Sequence, residues 1–293
     1  MVETLNTFFP EQIKRALTAS KVPTYVTEEN VFQEGDPDIL PILDEMVEAL
    51  FLPGSGIDGL ENLEELYAKA ETGKPCLLLM EHYSNFDLSI ISYLVRKAGG
   101  RGEEIGKSII AIAGMKLNED NPGVAAFASA YSRIVIYPSR SLQEMDPEKD
   151  KAEILRGNSI NRAALKAIVR HKYKSNIVLV FPSGTRYRPW EPESKKGVRE
   201  IDSYIRSFDY MCFIALNGQI LHVQRTDMLN DAVDKDLVRV TASPVISCDE
   251  FREKVRTAAG EEEDRKQAVA DAIMAELEKM HTAAEEKRQK LLK

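Results

Sequence analysis

The sequence predicts an α/β fold: a mixed, largely parallel central sheet flanked by helices, with helical segments at both ends. Three observations carry this expectation. From Cys76 onward, short apolar runs of strand length alternate with longer stretches of helical periodicity, the order that builds a sheet with helices on its faces. Before that point, about 75 residues read as helices joined by loops. After it, about 45 residues form a charged segment with one apolar stripe at helical spacing.

The elements follow in order. Helices are expected over 9–18, behind Pro10, and over 38–52, where Ile39, Ile42, Leu43, Met46 and Leu50 share a face and Pro41 falls in the first turn. A third amphipathic helix spans 60–69, and Gly73 is a plausible stop. Strands are expected over 76–80, 108–113, 133–137, 176–181, 211–216 and 237–242, with helices over 86–97, 124–131, 152–170 and 201–206. Val269, Ile273, Leu277 and Met280 make the final stripe, read as packing on its own domain rather than on a membrane. The chain thus divides into an N-terminal helical segment, 1–72, an α/β core, 73–248, and a C-terminal helical segment, 249–293.

Composition narrows the function. Among 293 residues, Lys+Arg number 39 against Asp+Glu 47, a net charge of −8, so nucleic acid is not expected as a main partner. No apolar run approaches the ~18 residues that span a bilayer. The start, Met1-Val2-Glu3-Thr4-Leu5-Asn6-Thr7, lacks the basic and apolar regions of a secretory signal. Cys76, Cys212 and Cys248 offer neither a disulfide framework nor a CxxC pair, which fits a reducing cytoplasm.

Gly54-Ser55-Gly56-Ile57-Asp58-Gly59 matches G-x-G-x-x-G, but a helix rather than a strand precedes it, so a helix-to-helix turn is expected. The four histidines have no zinc-ligand spacing, and no metal or cofactor is expected. His82 and Asp87 differ from these: they follow the apolar strand 76–80, at the start of the next helix, where sites collect in α/β sheets. Asp87 folded back onto one imidazole nitrogen would fix the tautomer and leave the other as a general base. The plain alternative is a strand-end histidine with a local hydrogen bond. A second element, Phe181-Pro182-Ser183-Gly184-Thr185-Arg186-Tyr187-Arg188, follows the strand 176–181. Pro182 ends the strand, Gly184 permits a tight turn with exposed amides, and Arg186 and Arg188 suit bidentate recognition of phosphate. Solvated arginines on a turn are the structural alternative.

His-x4-Asp after one strand and Phe-Pro-x-Gly-Thr-Arg after a later one resemble the glycerolipid acyltransferases. The likeness covers residues 73–221, and 161–189 is most similar to the soluble plastid-type glycerol-3-phosphate acyltransferases, which share an Arg-x-Arg-Pro ending. The resemblance implies transfer of a fatty acyl group from acyl-CoA or acyl-carrier protein to a hydroxyl of glycerol-3-phosphate. It implies His82 as base, Asp87 as its orienting group, and Arg186 and Arg188 on the phosphate. The family's middle motif fits Ser132-Arg133-Ile134-Val135-Ile136-Tyr137-Pro138-Ser139-Arg140, with Arg140 the better match for its basic residue and Arg133 the lesser. Ser183, Gly184, Thr185 and Lys195 are further substrate-binding candidates. Three positions depart from the pattern: Glu81 stands where Asn is usual, Ser183 where one branch has Glu, and Phe213 where the fourth motif has proline.

A thioester is already activated, so the expected mechanism is direct attack by an alcohol with no covalent intermediate. The alternatives are a 1-acylglycerol-3-phosphate acyltransferase making phosphatidate, a non-catalytic α/β module binding phosphorylated metabolites, and a thioester hydrolase. Transient peripheral membrane contact is compatible with each lipid reading. Arg170-His171-Lys172-Tyr173-Lys174 is read first as cations complementing a helix C-terminus and second as a dock for an acidic carrier protein.

Overall fold

The computed structural model describes residues 3–119, 121–226, 228–260 and 264–293. Its strands, in chain order, are β1 (Phe32–Gln33), β2 (Gly56–Asp58), β3 (Cys76–Met80), β4 (Ile109–Gly114), β5 (Arg133–Ile136), β6 (Ile177–Val180), β7 (Tyr210–Asn217), β8 (Leu221–His222), β9 (Ala232–Val233), β10 (Arg239–Ala242) and β11 (Ile246–Ser247). Nine of them form one sheet in the order β1-β5-β4-β6-β3-β7-β10-β2, with β11 paired to β7. The fold is therefore α/β with a mixed, largely parallel sheet, as the sequence predicts.

The arrangement follows from the apolar runs. Every residue of β3 is buried, because a parallel strand is covered on both faces. Cys76, Leu78 and Met80 face one core, roofed by the helices Leu40–Leu50, Leu60–Glu71 and Asp87–Lys97. Leu77 and Leu79 face the other, roofed by the helices Lys151–His171, Ile201–Ser207 and Arg265–Leu291. Of the C-terminal stripe, Val269, Ile273 and Leu277 are buried in this second core, and Met280 packs against it.

Strands β4, β5, β6, β3 and β7 run in one direction, so their C-terminal ends share one edge of the sheet. Both motifs singled out in the sequence leave from that edge.

Several elements differ from expectation. The glycine-rich stretch is not a simple helix-to-helix turn: it contains β2, which pairs in parallel with β10. Gly59 ends that strand at φ +81, where a Cβ would lie 2.5 Å from the Ala242 carbonyl oxygen, so glycine is needed for close packing rather than for a nucleotide. The region before Cys76, expected to be helical, also supplies β1, antiparallel to β5 at the sheet edge. A helix, Gly102–Ser108, lies between 97 and 108 where none was expected. Among the described residues, no helix is long and apolar enough to cross a membrane.

Candidate active site

At the end of β3 the chain turns sharply, and Asp87 at the start of the next helix closes back on that turn. The Asp87 carboxylate is wholly buried. One oxygen accepts the backbone N–H of Tyr83 at 2.5 Å and lies 2.8 Å from His82 Nδ1. The other accepts the Ser84 hydroxyl at 2.8 Å, and the Ser84 N–H reaches both oxygens. So many donors fix the carboxylate, and the carboxylate fixes the imidazole with Nδ1 turned inward. Among the described residues nothing bonds His82 Nε2, and the side chain keeps 18% of its surface exposed. A base must be accessible in this way.

β6 lies beside β3, and its continuation completes the site. Phe181 stacks its ring on His82, with centroids 3.9 Å apart and planes 16° from parallel. The Gly184 N–H bonds the Phe181 carbonyl at 2.9 Å, and Gly184 takes φ +65, so the chain reverses there. Ser183 donates its hydroxyl to the Thr185 carbonyl at 2.7 Å and holds the same turn. Tyr187 N–H then donates to the His82 carbonyl at 2.8 Å. That bond places Arg186 and Arg188, on either side of Tyr187, beside the histidine turn.

Each arginine has an acidic partner. Arg186 Nη1 bonds Asp231 Oδ2 at 2.7 Å, and the Asp231 side chain is 1% exposed. Arg188 Nη1 bonds Glu191 at 2.8 Å and approaches the Thr185 hydroxyl at 3.4 Å. Lys195 pairs with Glu278 of the C-terminal helix and lies over the Tyr187 ring. Arg140 sits in the helix Ser139–Gln143 just beyond β5, on the same sheet edge, exposed and without an ion pair among the described residues. The sheet order puts β4 and β6 between it and His82, and no bond joins it to Arg186 or Arg188. Arg133 lies elsewhere. It begins β5, is 1% exposed, donates to the Ala128 carbonyl, and burial pulls its pKa down to about 10. Arg133 belongs to the packed interior, whereas His82, Asp87, Ser183, Gly184, Thr185, Arg186 and Arg188 gather at one place.

Three features had no signal in the sequence. Asp231 lies 45 residues beyond the arginine it holds. The stacking of Phe181 depends on two strands meeting. A second histidine–carboxylate pair lies behind the first: Glu81 Oε2 bonds His281 Nδ1 at 2.9 Å and the Leu216 N–H at 2.8 Å, while Tyr83 donates its hydroxyl to Glu81 Oε1 at 2.8 Å. Glu81 thus fastens the strand end to β7 and to the helix Arg265–Leu291, which gives its departure from Asn a structural reason. Burial opposes charge on His281, but the hydrogen bond and charge of Glu81 prevail and raise its pKa above the ordinary histidine value. Burial, then the charge of Glu81, pushes the Tyr83 hydroxyl far up, so it keeps the proton that it donates to Glu81. Phe213, in the place of the family's proline, uses the N–H that proline lacks to bond Ser243 Oγ at 2.9 Å.

The arrangement offers a buried carboxylate, an oriented imidazole with one free nitrogen, and two guanidinium groups on a turn bonded to it. A family model described as acyltransferase matches residues 57–224, more than half of the chain. No curated protein matches it significantly.

Proposed function

The chain belongs to the acyltransferase family, and on that premise we propose that it carries a fatty acyl group from acyl-CoA or acyl-carrier protein to a hydroxyl of glycerol-3-phosphate, as the plastid-type enzymes do. One observation carries the choice of a phosphorylated acceptor: the Tyr187 N–H bonded to the His82 carbonyl at 2.8 Å, with an arginine on each side of Tyr187. Base and phosphate-binding groups are thereby tied into one backbone unit.

The reaction needs the alcohol proton removed as its oxygen attacks the thioester carbonyl. His82 Nε2 takes that proton, and Asp87, held through Nδ1, stabilises the imidazolium. The C–O bond forms, the C–S bond of the tetrahedral intermediate breaks, and the departing thiolate takes the proton back from His82. No acyl-enzyme is required, because the thioester is already activated. Arg186 and Arg188 bind the phosphate, with Arg140 as a further cation on the same edge, and hold one hydroxyl against His82. Asp231 keeps Arg186 in place by occupying one nitrogen of its guanidinium.

The test offers purified protein both donors, each with glycerol-3-phosphate or with 1-acylglycerol-3-phosphate. A monoacylglycerol phosphate product from the first acceptor is expected. Turnover with the monoacyl acceptor alone would transfer the reading to phosphatidate synthesis, and thiol release without any acceptor would make the protein a hydrolase. Arg186→Ala should raise the KM for glycerol-3-phosphate by about 30-fold or more, from the loss of a charge-assisted contact. An unchanged KM would remove Arg186 from the phosphate site.

A further inference from the structure

We propose that the outward face of the helix Lys151–His171, continued into the turn after it, is a docking surface for an anionic lipid bilayer. Its inward face is fixed: Gly157, Ile160, Ala164, Ala167 and Ile168 are buried. The opposite face carries Leu155, Leu165, Val169 and, just past the helix, Tyr173, exposed by 60%, 61%, 48% and 55%. Among the described residues only nine large apolar side chains are exposed, and these are four of them. At 3.6 residues per turn, residues 155, 162, 166 and 169 fall close to one line along the helix, with Leu165 to one side of it.

Cations stand between the apolar side chains. Arg162, Lys166, Arg170 and Lys174 are all exposed, and none has an ion pair among the described residues. Several arginines elsewhere are paired, among them Arg96 with Asp44, Arg186 with Asp231, Arg252 with Asp202 and Arg288 with Asp236. Glu153, on the first turn, is held by Arg156 at 2.9 Å. Acids bound the positive stretch on its N-terminal side: Glu28 is bonded to Ser159, and Glu144, Asp146 and Glu148 lie in the loop before the helix, so the stretch begins at Arg162. In a chain of net charge −8 this concentration is local. The field is felt at His171, whose pKa is lowered by burial, then by Lys174 and Arg170.

A basic face alone would suit any acidic partner. The protruding leucines and valine select the bilayer, because they gain most where they leave water at the boundary between headgroups and acyl chains. The helix connects β5 to β6, which run in the same direction, so it runs back against them. Its N-terminus therefore lies at the sheet edge that bears His82, and its basic C-terminal turns lie toward the opposite edge, so a bilayer seated on those turns leaves the His82 edge open. The surface is independent of which acyl acceptor is used, and it is tested by binding rather than turnover.

Full-length protein is sedimented with vesicles of phosphatidylcholine containing phosphatidylglycerol and with vesicles of phosphatidylcholine alone. Binding to the anionic vesicles, weakened by salt, is expected. The triple variant Arg162→Glu, Lys166→Glu, Arg170→Glu should bind about a hundredfold more weakly, at about fivefold per cation removed, with Tm lowered by no more than a few degrees because Arg170 also complements the helix C-terminus. Leu165→Cys gives a direct reading of insertion, because Cys76, Cys212 and Cys248 are buried and leave the new thiol as the accessible one. A polarity-sensitive dye on it should shift to the blue on anionic vesicles. Equal binding of wild type and triple variant, or an unshifted dye, overturns the proposal. A dye that responds to acyl-carrier protein but not to vesicles overturns it too, in favour of a protein partner.

Discussion

Asp87→Asn separates the charge of the buried carboxylate from its shape. The four groups around it dictate how the amide must sit. With NH2 in the place of the oxygen that faces His82, it would oppose the Tyr83 N–H at 2.5 Å, donor against donor. With NH2 on the other side it faces the Ser84 hydroxyl, which can turn to accept, and the Ser84 N–H keeps its bond to the remaining oxygen at 2.9 Å. The second orientation wins, so the imidazole keeps its tautomer and position. The fold then loses only about 1–2 kcal/mol from weakened bonds to a buried acceptor, a fall of a few degrees in Tm. The reaction loses the negative charge beside the imidazolium, which costs ~10²–10⁴ in kcat while the KM for glycerol-3-phosphate moves little. Thiol release from acyl-CoA under saturating acceptor gives kcat, and a thermal melt gives stability. A kcat within about threefold of wild type would refute Asp87 as the stabiliser of a charged His82.

Other consequences are equally specific. Asp231→Ala leaves Arg186 without its buried partner; it should lower stability by about 2 kcal/mol or more and raise the KM for glycerol-3-phosphate with kcat largely kept, read from melts and steady-state kinetics. Gly59→Ala should destabilise by ~2 kcal/mol or more, because φ +81 and a Cβ 2.5 Å from the Ala242 oxygen both resist it, yet leave kcat per folded molecule unchanged. The raised pKa of His281 gives a signed pH effect: its contribution to stability is full below the ordinary histidine value and is lost as pH rises through the higher folded value. Tm should therefore fall with rising pH above about 6.5, and His281→Gln should remove that part of the slope.

What could be read in the sequence was local. β3 and β6 were legible because buried parallel strands are unbroken apolar runs, and the histidine and arginine turns because each lies within eight residues. β1 and β2 were not, since two or three residues carry no periodicity and pair only through partners about 100 and 180 residues away. The helix Gly102–Ser108 was hidden by its glycines. Cβ atoms there would meet the Val95 carbonyl at Gly102 and the Arg96 side chain at Gly106, so close helix packing overrode propensity. Arg133 looked like a site residue because it borders an apolar run; only the sheet register shows it entering the interior. The Arg186–Asp231 and Glu81–His281 pairs join residues 45 and 200 apart, and no spacing rule reaches that far.

In the proposed function, His82 takes a proton from a glycerol phosphate hydroxyl as a thioester acyl group is transferred. The most direct measurement incubates wild type and His82→Ala with labelled acyl-CoA and glycerol-3-phosphate and identifies the lipid product by mass spectrometry. The account predicts a monoacylglycerol phosphate from wild type and a loss of at least about a hundredfold in its rate of formation with His82→Ala. The same product formed at an undiminished rate by the variant, or only free fatty acid from wild type, would contradict it.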